Sequence, residues 1–140
     1  FYHVKEGYSA PYAVSPEYQL IDDFGWGKLN NSELEDWQKA GADYAMYSAD
    51  EKLKKLKPAG EWNHVLLTID HNKNQGSVVL NGTKIVEFPL RGEKWDELVA
   101  NSKFNDKCEF DRFARLRSGK IGLQDHGNKV SFRNIKIRKL

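Results

Sequence analysis

The sequence has one cysteine and no long apolar run, and each shortage excludes a class of protein. Cys108 has no second cysteine with which it could form an internal disulfide. The longest apolar run in these 140 residues is Tyr44–Tyr47, whereas a transmembrane helix needs about 20 apolar residues. A disulfide-stabilised scaffold and a membrane-spanning helix are therefore both excluded for this stretch of chain.

The sequence also lacks the motifs that identify common enzymes. It contains no glycine-rich phosphate loop, no His-Glu-x-x-His pair and no Gly-x-Ser-x-Gly nucleophile elbow. No spacing of histidine, cysteine and carboxylate residues is typical of a metal site, so no metal ligand is predicted. The sequence leaves the cofactor unknown. Cys108 could be a nucleophile only beside a histidine that the sequence does not place there, so a structural thiol is favoured.

What the chain does contain is enough apolar bulk for one folded domain. Hydrophobic residues make up 39%, with four Trp, six Tyr and seven Phe, which excludes intrinsic disorder. The length corresponds to one domain, since domains hold roughly 100–200 residues.

Charge is nearly balanced overall but uneven along the chain. The net charge is +2, yet residues 1–50 hold three Lys/Arg against nine Asp/Glu, and residues 103–140 hold eleven against four. The two regions either attract each other within the fold or leave a basic binding face, and the first interpretation is favoured. Leu53 and Leu56 interrupt the four lysines of 52–57, so a solvated loop is favoured there and no nucleic-acid partner is expected.

Hydrophobic alternation predicts strands in the middle of the chain. In Glu61–Asp70, Val65, Leu67 and Ile69 fall on one face. Ser77–Leu80 and Thr83–Phe88 flank Asn81-Gly82, a pair typical of a type I′ hairpin turn.

Further elements are predicted from weaker patterns. Strands are predicted at Phe1–Val4, Glu17–Ile21, Tyr44–Ser48, Lys120–Gln124 and Lys129–Ile137. Short helices are predicted at Glu33–Ala40 and Lys94–Ala100, with a helical turn around Phe110 and Phe113. Short strands joined by turns and loops favour an antiparallel β-sandwich. Because Phe1–Val4 reads as a strand already under way, we expect the sandwich to have further N-terminal strands and residues 1–140 alone to fold poorly.

Two polar clusters and a group of aromatic residues could form a binding site. Glu17, Gln19 and Asp22 follow one another along a predicted strand, and Gln124-Asp125-His126-Gly127 fills a predicted loop. From the residues alone, a solvent-facing strand and an ordinary hairpin loop are the favoured explanations of these clusters. Aromatic residues crowd the first 40 positions, which suits either sugar binding or the ordering of loops.

Several motifs in order along the chain resemble one family. They are Lys57-Pro58-Ala59-Gly60-Glu61-Trp62-Asn63, Leu80-Asn81-Gly82, Gly122-Leu123-Gln124-Asp125-His126-Gly127 and Phe132-Arg133-Asn134-Ile135, with Glu17-Tyr18-Gln19-Leu20-Ile21-Asp22 before them. This order resembles the 3-keto-disaccharide hydrolase domain family from Phe1 to Leu140. The resemblance implies an all-β, concanavalin-like jelly-roll β-sandwich of two antiparallel sheets with short helices. It makes residues 1–140 a single domain, the C-terminal two-thirds of a larger sandwich whose missing N-terminal strands come from the rest of the protein or from another subunit.

The resemblance also implies a function and a set of site residues. Family members act on glycosides oxidised to a ketone at C3, often in secreted or periplasmic settings, so a sugar substrate is expected. The catalytic candidates are His126 as the leading general base or acid, Glu17 as the second, and Lys103 as a weaker enolate-stabilising group. The substrate-binding candidates are Gln19, Asp22, Gln124, Asp125 and Arg133. A non-catalytic carbohydrate-binding module and a structural domain on the same fold remain open as alternatives.

Overall fold

The computed structural model describes residues 1–105, 110 and 112–140. Its helices are α1 (Trp26–Asn30) and α2 (Glu93–Asn101), its strands are β1 (Val65–Asp70), β2 (Gln75–Leu80) and β3 (Thr83–Phe88), and single 3-10 turns span Pro11–Ala13 and Asp36–Gln38. Cys108, predicted to be a structural thiol, lies outside the described residues. In the part of the chain that is described, no helix has the length and apolarity to cross a membrane.

The three strands form an antiparallel sheet in the order β1-β2-β3, and the predicted hairpin is confirmed. Asn81 and Gly82 have φ values of 48° and 85°, the left-handed pair that a type I′ turn requires. β1 begins at Val65, later than predicted, because its partner β2 ends opposite it at Leu80. Just before β1, the backbone amide of His64 donates to the Asn81 side chain instead of to a neighbouring strand.

Helix α2 confirms the prediction for Lys94–Ala100 with one more residue at each end. Trp95 and Val99, one turn apart, are each 2% exposed and point into the main core. Aromatic rings fill that core: Phe104 and Phe113 stack with their centroids 4.1 Å apart, and Phe88 lies 6.4 Å from Trp95. The core therefore joins α2 to the end of β3.

Two local predictions between residues 33 and 48 are wrong. Glu33–Ala40 contains only the 3-10 turn Asp36–Gln38, where the Gln38 side chain accepts a hydrogen bond from the Glu35 amide. Tyr44–Ser48 is part of a tight turn and not a strand, because Asp43 and Tyr47 exchange backbone hydrogen bonds of 2.9 and 2.8 Å. The chain reverses there through Ala45, whose φ is 63°.

Four extended segments lie together and form what we call the second layer: residues 1–4, 16–19, 41–44 and 120–122. Val4 and Lys120 exchange backbone bonds of 2.8 and 2.9 Å, the Tyr2 amide donates to Pro16, and Tyr18 bridges Asp43. These bonds are too widely separated to form regular strands, so the strands predicted at 1–4 and 17–21 are present only as locally bridged backbone, and the left-handed φ of 62° at His3 interrupts the first. Tyr18 packs against the Val78–Ile85 side of the three-stranded sheet, which brings the two layers together.

The strands predicted at Lys120–Gln124 and Lys129–Ile137 are wrong beyond Gly122. Gly122 still exchanges backbone hydrogen bonds with Phe1, but in the described structure residues 123–124 and 129–137 have no ladder partner, which a strand needs for its backbone hydrogen bonds. Apolar side chains of the two predicted strands are 38–77% exposed: Ile121, Leu123, Val130, Phe132, Ile135 and Ile137. The observed fold is thus an antiparallel sheet with a second extended layer, and the complete jelly roll remains a prediction.

A buried side-chain pair joins two segments of the second layer. The Tyr2 hydroxyl donates to Asp43 Oδ1 at 3.1 Å, and Asp43 is 2% exposed. Its second oxygen, Oδ2, has no hydrogen-bond partner among the described residues. Burial raises the pKa of Asp43 to about 8, and the Tyr2 hydrogen bond opposes that rise only in part.

Gly76→Ala should destabilise the sheet by about 1–3 kcal/mol, the usual result of overpacking. A β-carbon at Gly76 would stand 2.3 Å from the ring of Phe88. That ring contacts both Tyr47 and Trp95, which also contact each other, so it has little room to move. Urea unfolding measures the change; Gly27→Ala, in a site with ordinary contacts, is the control and should be close to neutral. Equal midpoints for the two variants would contradict this packing.

The contribution of Asp43 to the stability of the fold should fall as pH rises from about 4 to about 8. The folded state keeps a proton on Asp43 across this window and the unfolded state does not, so the slope for this group is negative and at most about 1.4 kcal/mol per pH unit. Asp43→Asn should remove that contribution. Urea unfolding of both proteins at pH 5 and pH 8 tests it, and an unchanged difference between the two pH values would show that Asp43 is not the group responsible.

Candidate functional site

Glu17 lies on the face of the second layer that points away from the core. Its neighbour Tyr18 packs against the three-stranded sheet, so the alternation of an extended chain turns Glu17 and Gln19 to the other side. The Glu17 carbonyl accepts a 2.9 Å hydrogen bond from the Tyr44 amide, which fixes the backbone at this point. The side chain is half-buried, so its carboxylate is partly removed from water.

The electrostatic environment of Glu17 includes both other predicted catalytic residues. Burial is the largest influence and raises the pKa of Glu17. The charge of the Phe1 ammonium lowers the same pKa, and the charges of Lys103 and His126 lower it further. The carboxylate therefore lies within electrostatic range of both other predicted catalytic residues, and we call Glu17, Lys103 and His126 the catalytic cluster.

Tyr44 holds the side chain of Lys103 in place. The exposed Lys103 donates from Nζ to the Tyr44 hydroxyl at 2.9 Å and also lies 4.3 Å from the centre of the Tyr44 ring. The edge of Trp37 packs against Tyr44 at 5.2 Å and limits its movement. Sequence reasoning assigned Tyr44 to a strand and missed its place here, since nothing local links it to Glu17 or Lys103.

The loop that carries His126 is held beside the second layer by Phe1. Phe1 and Gly122 exchange backbone hydrogen bonds of 2.9 and 3.1 Å, so the loop begins next to residues 1–4. Asp125 accepts a 2.8 Å bond from the Gly127 amide and stabilises the turn. His126 itself is exposed, which leaves its imidazole accessible to a ligand.

The predicted substrate-binding residues are spread more widely. Gln19 donates from Nε2 to the Gln38 carbonyl at 3.0 Å, which leaves its Oε1 for other partners. Asp22 accepts from the Phe24 amide and shapes the turn into α1. The Arg133 guanidinium lies 4.0 Å from the centre of the Trp62 ring. Gln124 is half-buried in the His126 loop, and the binding roles of all five residues stay predictions.

Asp43 is a second acid close to Glu17 that sequence reasoning did not select. The charge of Glu17 raises the pKa of Asp43 further, after the larger effect of burial. A protonated Asp43 therefore adds no negative charge beneath Glu17 at neutral pH. The sequence gives no signal that Asp43 is a buried, protonated acid, because a lone aspartate before a turn is usually solvated.

The catalytic cluster lies outside the two open depressions found on the described surface. One, of about 300 Å³, is lined by residues 4–6, 119 and 120, and the other, of about 190 Å³, by residues 73–75 and 87–89. Among all the residues that the structure describes, no group of three or more His, Cys, Asp or Glu side chains could hold a metal ion. The cluster is thus a surface arrangement of an acid, an amine and an imidazole.

Comparisons with known proteins place this chain among relatives. The model of the 3-keto-alpha-glucoside-1,2-lyase-like domain matches residues 1–138. A 3-keto-disaccharide hydrolase of Bacteroides thetaiotaomicron is 32% identical over 143 aligned positions, which cover 92% of this chain and 45% of that protein. A crystal structure of a proposed glycosyl hydrolase from Parabacteroides distasonis is 35% identical with a TM-score of 0.71, covering 84% of this chain and 52% of the other.

The chain thus spans about half the length of the relatives that it matches. The family match nevertheless extends over nearly every residue, and it includes Glu17, Lys103 and His126. The order of motifs read from the sequence agrees with it. The chain belongs to the 3-keto-alpha-glucoside-1,2-lyase-like domain family.

Proposed function

We propose that the protein containing this chain is a carbohydrate-active enzyme that cleaves 3-keto-glycosides at the catalytic cluster. The observation that carries the proposal is that the half-buried carboxylate of Glu17 lies within electrostatic range of Lys103 and His126. The name of the Bacteroides relative, a 3-keto-disaccharide hydrolase, supports the substrate class. A secreted or periplasmic location, expected from the family resemblance of the sequence motifs, is part of the same proposal.

The chemistry of a C3 ketone explains why such a cluster suffices. The ketone acidifies the proton on C2, and the glycosidic oxygen on C1 lies β to the carbonyl. Removal of the C2 proton gives an enolate, which expels the C1 oxygen and leaves a double bond between C1 and C2. Water then adds at C1 and a proton returns to C2, so that the net reaction is hydrolysis. The reaction requires a base, a donor to the enolate oxygen and an acid for the leaving group.

Each member of the cluster suits one of these tasks. Glu17 is proposed as the base, because burial raises its pKa and makes its carboxylate a stronger proton acceptor. Lys103, held at Tyr44, is proposed to donate from Nζ to the enolate oxygen. His126 is proposed to protonate the leaving oxygen, since imidazole exchanges protons near neutral pH.

A carbohydrate-binding module is the second candidate. The rings of Trp37 and Tyr44 lie against each other beside Lys103 and offer an apolar surface for the C–H face of a sugar. Such a module would need the rings and amides but not the titratable groups. Replacing Glu17 should therefore abolish turnover if the protein is an enzyme. If it is a carbohydrate-binding module, the same replacement should leave sugar binding unchanged.

We further propose that strands from the rest of the protein pair with the C-terminal residues. Six apolar side chains between Ile121 and Ile137 are exposed, and the relatives are about twice as long as this chain. Such strands would cover these side chains and complete the two-sheet sandwich implied by the family.

The substrate class is tested by incubating the full-length protein with a 3-keto-disaccharide and, separately, with the unoxidised parent sugar. Cleavage of the ketone alone is expected, because only the ketone acidifies the C2 proton. Cleavage of both would indicate an ordinary glycosidase. Binding of the sugars without any cleavage would favour the carbohydrate-binding module.

Glu17→Gln in the full-length protein should lower kcat/KM by about 10²–10⁴-fold, the usual contribution of general-base catalysis. In the wild type, activity should decline with falling pH at a pKa above the usual range of a glutamate, since burial raises the pKa of Glu17. The variant should lose this acidic limb. Glu97→Gln, at an exposed position on α2, is the control and should behave as the wild type. Full activity of Glu17→Gln would remove Glu17 as the base.

A further inference from the structure

The hydroxyl of Tyr44 has a hydrogen-bonding capacity that the proposed function leaves unused. It accepts a hydrogen bond of 2.9 Å from Lys103 Nζ, and a tyrosine hydroxyl can accept and donate at the same time. Its own proton is therefore left for a second acceptor. An ammonium carries several N–H groups, so Lys103 also keeps donors for a ligand after one has gone to Tyr44.

The Tyr44 side chain is held on several sides, which fixes the position of its hydroxyl oxygen. The backbone amide of Tyr44 donates to the Glu17 carbonyl at 2.9 Å. The ring packs edge-to-face with Trp37 and with Phe104, at centroid distances of 5.2 and 6.3 Å. Phe104 is only 4% exposed and belongs to the main core. A ligand that meets this hydroxyl therefore needs to order little of the side chain that carries it.

Lys103 is supported by the same aromatic rings. Its Nζ lies 4.3 Å from the centre of the Tyr44 ring and 5.0 Å from the centre of the Phe104 ring. Both distances are within the range of a cation–π interaction, which needs the ring but not the hydroxyl. The position of Lys103 therefore does not depend on the Tyr44 hydroxyl alone.

The spacing of the two donors matches that of neighbouring oxygens on a sugar ring. Oxygens on adjacent carbons of a pyranose stand roughly a hydrogen-bond length apart, and Lys103 Nζ and Tyr44 Oη are 2.9 Å apart. Two donors at this separation can reach two such oxygens in parallel, as in a bidentate pair. Because Lys103 is assigned to the C3 oxygen, the Tyr44 hydroxyl would face the oxygen on C2 or on C4.

We propose that Tyr44 contacts the substrate, its hydroxyl donating to the sugar hydroxyl next to the C3 ketone while Lys103 donates to the C3 oxygen. This inference rests on the proposed function for its site and for the class of its ligand. It adds a source of specificity, because the site then recognises the ketone together with a neighbouring hydroxyl. A sugar that lacks this hydroxyl leaves the phenol of Tyr44 unpaired.

The contact contributes to binding more than to the chemical step. The C3 oxygen becomes the enolate oxygen when the C2 proton leaves, whereas the neighbouring hydroxyl gains little charge. A hydrogen bond from Tyr44 to that hydroxyl therefore stabilises the bound substrate and the transition state by similar amounts. Losing such a bond raises KM and leaves kcat nearly unchanged.

The test compares Tyr44→Phe with the wild-type full-length protein on a 3-keto-disaccharide and on its 2-deoxy and 4-deoxy forms. On the parent sugar the variant should raise KM about three- to tenfold, the effect of one hydrogen bond between uncharged groups, with a smaller change in kcat. On the deoxy sugar that lacks the partner hydroxyl, the variant and the wild type should be equal. The phenylalanine keeps the ring and its contacts with Trp37 and Phe104.

Tyr12→Phe is the matched control, because it makes the same chemical change at a tyrosine that is 46% exposed in the 3-10 turn Pro11–Ala13. It should match the wild type on all three sugars. An unchanged KM of Tyr44→Phe on the parent sugar would overturn the inference. An equal loss on all three sugars would also overturn it, because Tyr44 would then act only through Lys103.

Calorimetry with the same sugars, in proteins that also carry Glu17→Gln, separates this inference from the proposed function. If the wild type cleaves none of the sugars, the proposed function is wrong. The inference about Tyr44 still stands if Tyr44→Phe weakens binding of the parent and of one deoxy sugar but not of the other. If the wild type cleaves the parent sugar and Tyr44→Phe binds every sugar as tightly as its parent protein, only the inference about Tyr44 is wrong.

Discussion

The arrangement around the candidate site depends on one buried residue, Asp43. Its side chain accepts a hydrogen bond from the Tyr2 hydroxyl, and its backbone forms β-bridges with both Tyr18 and Tyr47. Asp43 thereby joins residues 41–44 to residues 1–4 and 16–19. Glu17 lies in the last of these segments, directly after Pro16, whose carbonyl accepts a hydrogen bond from the Tyr2 amide. This arrangement costs the energy of a buried carboxyl group, which the protein reduces by keeping the group protonated, as its raised pKa indicates.

The same constraint shapes the electrostatics of the catalytic cluster. Glu17 is half-buried, and removal from water raises its pKa, while the Phe1 ammonium, Lys103 and His126 lower it. A second ionised acid close to Glu17 would raise that pKa still more. Because Asp43 stays neutral, the pKa of Glu17 is set by burial and by these three positive charges. This balance suits a base that must accept a proton from a weakly acidic C–H bond.

Local sequence signals predicted the elements that local contacts build. The Asn81-Gly82 hairpin and helix α2 were both correct, because a turn type and a one-sided apolar face need no distant partner. The second layer was only partly predictable, since its hydrogen bonds join residues far apart in the chain. Tyr44–Ser48 has the apolar content of a strand, yet the exchange of bonds between Asp43 and Tyr47 turns the chain back on itself. Glu17, Lys103 and His126 were selected through the family resemblance.

The most direct test of the account is a crystal structure of the full-length Glu17→Gln variant with a 3-keto-disaccharide bound. If these residues form the catalytic site, C2 of the oxidised sugar should lie against the side chain at position 17. The C3 oxygen should lie within hydrogen-bond distance of Lys103 Nζ, and the glycosidic oxygen should face His126. A sugar bound at another surface, out of contact with all three positions, would contradict the claim that they form one catalytic site.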